Sequence, residues 1–231
     1  VNTHVSIFRA AGELFKQTGA DVYYGDSPAV GTCEYHMKQA GFTGIAEELS
    51  LKLADFDSGS RVSHPNPLFQ KSFVVAKGVL ESDGLISLAK LKTHNVTRIT
   101  AAVKNQYGCL PGMIKAHYHA CIPNTFDFSS FLVDINTYIK PRLYIVDAVW
   151  AMEGNGPQSG APKKLSCILA STDPVALDAV ICAIIGLDPL HVPTSEPGEK
   201  AGLGTFRLEQ IECVGDDYRS FVDVSFDVVR K

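Results

Sequence analysis

No run of apolar residues in this sequence approaches the ~20 that a helix needs to cross a bilayer, so a helical membrane span is excluded. Residues 1–20 also lack the basic start and apolar stretch of an export leader, and the expected location is cytoplasmic, with no membrane partner. The 6 cysteines, Cys33, Cys109, Cys121, Cys167, Cys182 and Cys213, form no CxxC pair. A cluster of the C-x2-C-x2-C type is thereby ruled out, and no iron–sulfur cluster is expected within this chain. No G-x-x-x-x-G-K-[ST] or G-x-G-x-x-G fingerprint occurs, nor a Gly-x-Ser-x-Gly nucleophile elbow. Internal repeats and low-complexity tracts are missing too.

The most informative absence is local. Between Asp83 and Asp127 there is no Asp or Glu, although the whole chain carries a net charge of -4. That segment holds Lys90, Lys92, Arg98, Lys104 and Lys115, with His94, His117 and His119. Cations brought together repel one another unless something negative sits among them. Phosphate or carboxylate is the natural guest of such a segment. The acidic overall balance and the lack of interleaved aromatics argue against nucleic acid as the partner.

What is present reads as one α/β domain over residues 1–231, long enough to bury a core without staples. Helices are expected over residues 4–18 with Gly19 as the stop, 34–49, 97–107, 128–139 and 173–185. The last has Asp173 as N-cap and Pro174 at its first position. Strands are expected over 21–25, 51–56, 73–76, 84–92, 142–149, 165–170, 211–214 and 221–229. Residues 58–67, 108–123 and 154–162 read as loops. Strands alternating with helices predict a mostly parallel sheet flanked by helices on both faces, a three-layer, Rossmann-like arrangement. A domain of this kind that opens on a helix is expected to be a fragment lacking its first strand.

In such sheets ligands sit at the carboxyl ends of the strands, so polar residues there carry the functional reading. Lys90, Lys92 and His94 alternate along one strand and share a face. Thr97, near the expected start of the next helix, and Lys104 on that helix extend the anion site. Asn105, Lys115, Asp26 and Asn155 complete the candidate ligand-binding set. His94, His119, Asp147 and Glu153 are the candidate acid–base groups, because Asp147 lies in an apolar run and must be paired there. His117 and His119, one residue apart, would both face a metal if they lay on a strand, which makes a divalent metal the candidate cofactor.

Several of these elements recur together. Lys90-Leu91-Lys92-Thr93-His94, Lys104-Asn105-Gln106-Tyr107-Gly108 and Pro111-Gly112 are followed by Asp147 and the run Glu153-Gly154-Asn155-Gly156-Pro157. Ser171-Thr172-Asp173-Pro174 then leads to Asp178. The set resembles a widespread prokaryotic family known only as domain of unknown function 362, over nearly the whole chain. Members of that family often carry ferredoxin-type cysteine motifs in an appended segment, which this chain lacks, and begin with a basic strand absent here. The resemblance implies no settled activity. The residues predict a protein that binds a phosphate- or carboxylate-bearing small molecule, with acid–base catalysis at the same site. The competing expectation is a non-catalytic module that docks a ferredoxin-like redox partner.

Overall fold

The computed structural model describes residues 2–229. The chain enters helix α1 (Val5–Gln17), capped by the His4 side chain, which accepts the N–H of Ser6, and stopped at Gly19 with φ +80°. Strand β1 (Tyr23–Tyr24) follows, then α2 (Cys33–Gln39), α3 (Phe42–Glu48) and β2 (Lys52–Leu53). The single helix expected over 34–49 is broken at Gly41, whose φ of +80° turns the chain between α2 and α3. β1 and β2 pair in parallel, so this part of the chain is a strand–helix–strand unit.

The stretch read as a polar loop instead forms β3 (Gly59–Ser63), which pairs antiparallel with β4 (Ser72–Ala76) and leads to the short α4 (Lys77–Leu80). Exposed residues along β3 hid it from a periodicity reading, because its hydrogen bonds, not its side chains, hold it. β5 (Ile86–His94) is the expected apolar strand. The chain then turns at residues 95–97 into β6 (Arg98–Thr100), where a helix was expected, and only α5 (Ala102–Asn105) and one turn of 3-10 helix follow. α6 (Ile114–Cys121) occupies part of the expected loop, and α7 (Thr125–Ile139) is capped by Asn124.

β7 (Leu143–Glu153) and β8 (Ala161–Ser171) are long and joined by the tight loop at 154–160, which forces them antiparallel. α8 (Pro174–Ile184) has the expected Asp173 cap and Pro174 start, and α9 (Ser195–Lys200) follows. The strands expected at 211–214 and 221–229 do not form. Phe226 is buried there without a ladder, held by the N–H of Asp223 on the Ile184 carbonyl at 2.7 Å.

The main sheet has the order β6-β5-β7-β8, and only β5 and β7 run parallel. The expected mostly parallel, Rossmann-like sheet is therefore corrected to a mixed α/β arrangement of small sheets. Short turns after β5 and β7 send the chain back antiparallel, whereas the parallel pair needs the α5–α7 crossover. Two adjoining cores hold the elements. One joins Phe73 and Val75 of β4 to Phe128 and Phe131 of α7; the other joins Val146 of β7 to Ile181 of α8. Each such side chain contributes roughly 1.5–3 kcal/mol by leaving water.

Candidate functional site

The carboxyl half of β5 carries three of the predicted residues, and they have different fates. Lys90 is buried, directly opposite Asp147 of β7 in the parallel register. Its Nζ donates to Asp147 Oδ2 and, at 3.0 Å, to the Trp150 carbonyl. Asp147, fully buried, also accepts the His4 N–H on Oδ2 at 2.8 Å and the Val149 N–H on Oδ1 at 3.1 Å. Both partners' demands are thus met inside the protein, which gives the pair a holding role. The β5–β7 register shifts between Lys90 and Lys92, and Lys92 ends half-buried.

His94 accepts the backbone N–H groups of Val96 and Thr97 on Nδ1, at 3.1 and 3.3 Å. That fixes the neutral tautomer with the proton on Nε2. Burial, then the charge of Lys104, push its pKa down to about 3. His94 is therefore uncharged, with its proton on Nε2. Thr97 does not start a helix. It lies in the turn before β6, buried, its hydroxyl donating to the Ile99 carbonyl at 2.9 Å.

Lys104 closes the short α5, its ammonium 5.0 Å from the centre of the Tyr107 ring. Burial, with the repulsion of Lys115 and Lys92, pulls its pKa down to about 8. Lys115 on α6 is buried and donates to the Ser27 carbonyl, while Ser27 Oγ accepts the Gly112 N–H at 2.6 Å. These bonds tie the turn at Pro111 to the loop after β1 and set Asp26 among the lysines. Asp26 is open to a cleft yet surrounded by protein, and that crowding raises its pKa against the pull of Lys115, Lys92 and Lys104. Lys92, Lys104 and Lys115 are each near enough for the Asp26 carboxylate to work against the lowering of their pKa.

The cleft has a volume of about 1090 Å³ and reaches Asp26, Lys92, Asn105 and Gly108 at one end. Asn105 and Gln106 both donate to Ser87 Oγ, at 3.0 and 2.6 Å, bracing this end against β5. Thr100, opposite Lys92 in the β5–β6 register, lines the same cleft. Its Oγ1 is buried and has no hydrogen-bond partner among the described residues. Sequence reading missed Thr100, Ser27 and Tyr107. Gly108, in contrast, stands in the K-N-x-x-G element, and its missing side chain is what lets Asp26 approach.

The remaining candidates lie apart from this group or at its edge. His119 stacks on Phe128 with ring centres 4.4 Å apart and meets Tyr107 edge-on; burial and Lys104 lower its pKa. His117 lies beside Cys121 on the same helix, at 3.6 Å. Because the two histidines are on a helix and not a strand, their spacing sends them to different sides. Among the described residues no group of three His, Cys, Asp or Glu is placed to hold a metal. Glu153 accepts the Asp227 N–H at 2.9 Å and lies near Lys163, so it fastens the C-terminal segment. Asn155 is exposed in the loop after β7, its carbonyl accepting the Ser159 N–H.

Fold and site together define a mixed α/β protein in which Asp26 and Lys92 line one end of an open cleft, with Lys104 and Lys115 within electrostatic reach of them. The chain belongs to the family described as Domain of unknown function (DUF362), whose profile matches residues 1–183. It is 34% identical over 208 residues to the Thylakoid-associated protein sll1697 of Synechocystis sp.. That match takes in 90% of this chain and 64% of the relative, so the chain spans a little under two thirds of the relative's length. No solved structure matches it. Among the described residues no helix is long and apolar enough to cross a membrane.

Proposed function

We propose that the protein binds a small dianion, a phosphate, phosphate ester or dicarboxylate, at the Asp26 end of the cleft. The observation that carries this reading is the charge count: Lys92, Lys104 and Lys115 lie within electrostatic reach of one another and of a single carboxyl, Asp26, leaving two positive charges over. Enclosed like charges of this kind are costly unless an anion joins them. Lys90 is not part of the excess, because Asp147 balances it. The neutral His94 supplies an Nε2–H, and the unpartnered Thr100 hydroxyl supplies a further donor beside Lys92.

Acid–base work at the same place falls to Lys104. With a pKa of about 8 it exchanges its proton near neutral pH, which an ordinary lysine does not. The test is thermal unfolding with inorganic phosphate, a phosphate monoester and a dicarboxylate, each titrated to saturation. A ligand at 100 times its Kd is expected to stabilise by about 2.7 kcal/mol. The Lys104→Met variant should lose that gain while folding normally. No saturable gain with any of these anions overturns the reading.

A further inference from the structure

Several nucleophilic side chains stand around Asp26, and their surroundings disable most of them. The Cys109 thiol is buried and pushed up to about 12, so it is not ionised near neutral pH. The Thr100 hydroxyl has no hydrogen-bond partner among the described residues, and so no base to take its proton. Ser27 Oγ accepts the Gly112 N–H at 2.6 Å and turns its own proton to the Pro28 carbonyl at 3.5 Å, which is no base either. Lys90 is engaged by Asp147 and Lys115 by the Ser27 carbonyl.

Lys104 is different. Among the described residues it makes no salt bridge. Its ammonium lies over the Tyr107 ring, 5.0 Å from the centre, and a ring takes no proton. Lys92 also lacks a salt bridge, but Lys104 is the one repelled by two other ammonium groups, those of Lys115 and Lys92. Enclosure beside like charges favours the neutral amine, whose lone pair is then free to attack. The side chain is half-buried and so still reachable, and the next residue, Asn105, lines the cleft.

We propose that Lys104 is a nucleophile whose amine condenses with the carbonyl of a ketone or aldehyde carrying a dianionic end, forming an imine. The inference rests on the anion site proposed above, where Lys92 and Lys115 meet that end. The Nζ lone pair attacks the carbonyl carbon, a C–N bond forms, and one amine proton passes to the former carbonyl oxygen. Asp26, whose crowding favours its protonated form, then gives its proton to that oxygen. The C–O bond breaks, water leaves, and the nitrogen lone pair closes the C=N bond. The products are a protonated imine, one water and the Asp26 carboxylate, which offsets the new cation. Such an imine draws electrons from the adjoining carbon and activates its bonds.

Reductive trapping tests this. The protein is incubated at neutral pH with sodium cyanoborohydride and either 2-oxoglutarate or dihydroxyacetone phosphate, then digested and its lysines compared by mass spectrometry. Labelling is expected at Lys104, about 100-fold above that at the exposed Lys38. It should saturate with the carbonyl compound and be blocked by excess inorganic phosphate. Labelling by the first compound assigns an oxo dicarboxylate, by the second a phosphorylated carbonyl compound. The Lys104→Arg variant keeps the positive charge and cannot form an imine, so it should lose the label and keep its thermal stabilisation by phosphate. No label at Lys104, or label at Lys92 or Lys115 instead, overturns the proposal. Label at Lys104 that neither saturates nor yields to phosphate marks a reactive amine without a site and overturns it too. Thermal stabilisation of the unaltered protein by phosphate reads the anion site alone. Stabilisation without trapping therefore removes the imine and leaves the anion site standing.

Discussion

Val96 donates its backbone N–H to Nδ1 of His94 at 3.1 Å, and Thr97 adds a second N–H at 3.3 Å. A ring nitrogen that accepts such bonds cannot hold a proton as well. Nitrogen-detected NMR should therefore find His94 in the Nε2–H tautomer from alkaline pH down to about 3, with no titration near 6.5. Its unfolded form takes up a proton below 6.5, so this residue makes stability fall as pH drops from 6.5 toward 3. A normal titration near 6.5 would remove His94 from the site as a neutral donor.

Lys104 gives the site a pH dependence of its own. Its folded pKa of about 8 lies below the ordinary 10.5, so between these values the unfolded chain holds the extra proton. Stability without ligand should rise with pH across that window. Phosphate affinity should fall as pH rises through 8, because the ammonium that meets the anion disappears. Calorimetric titration in buffers of different ionisation heat should show proton uptake on binding near pH 8 and above. The Lys104→Met variant should abolish the uptake along with most of the affinity.

Gly108 lies against the Asp26 carboxyl so closely that a β-carbon there would overlap Oδ1. Gly108→Ala should push Asp26 off its place among the lysines. The expected cost is about 1–3 kcal/mol of stability, the usual range for overpacking. Gly112→Ala is the contrasting case. Nothing stands near its β-position, and its φ of +38° adds backbone strain only, so phosphate affinity should change less than with Gly108→Ala. Chemical denaturation and phosphate titration of both variants check the difference.

Much of the site was legible because its residues cluster in sequence. The alternation of Lys90, Lys92 and His94 on a strand is present in β5. Their shared face did not translate into shared chemistry. Lys90 found a buried carboxylate 57 residues away, and His94 lost its charge to a turn just after it. Neither partner is visible in the local pattern. A helix was expected over residues 97–107, but pairing of Arg98–Thr100 with β5 overrode that propensity. The alternating C-terminal stretch misled for a related reason. Phe226 and Val228 are buried as alternation requires, yet they reach the core from irregular chain. Membership of the family, carried by short polar motifs, was readable where topology was not.

The pairing of Lys90 with Asp147 separates holding from binding, and a double-mutant experiment makes the distinction measurable. Side chains here are 5% and 0% exposed. Lys90→Met strands a buried carboxylate and should cost about 3–5 kcal/mol. Asp147→Leu strands the ammonium and also deprives the His4 and Val149 N–H groups of their acceptor, so its cost should be at least as large. Together the substitutions leave no unpaired charge, and the double variant should be more stable than Asp147→Leu alone. If the pair only holds β5 against β7, the double variant should still bind phosphate with affinity within a few-fold of the parent. A loss of binding as complete as that of Lys104→Met, in a double variant that folds, would instead place Lys90 among the residues that meet the anion. The charge count at Asp26 would then have to be redrawn.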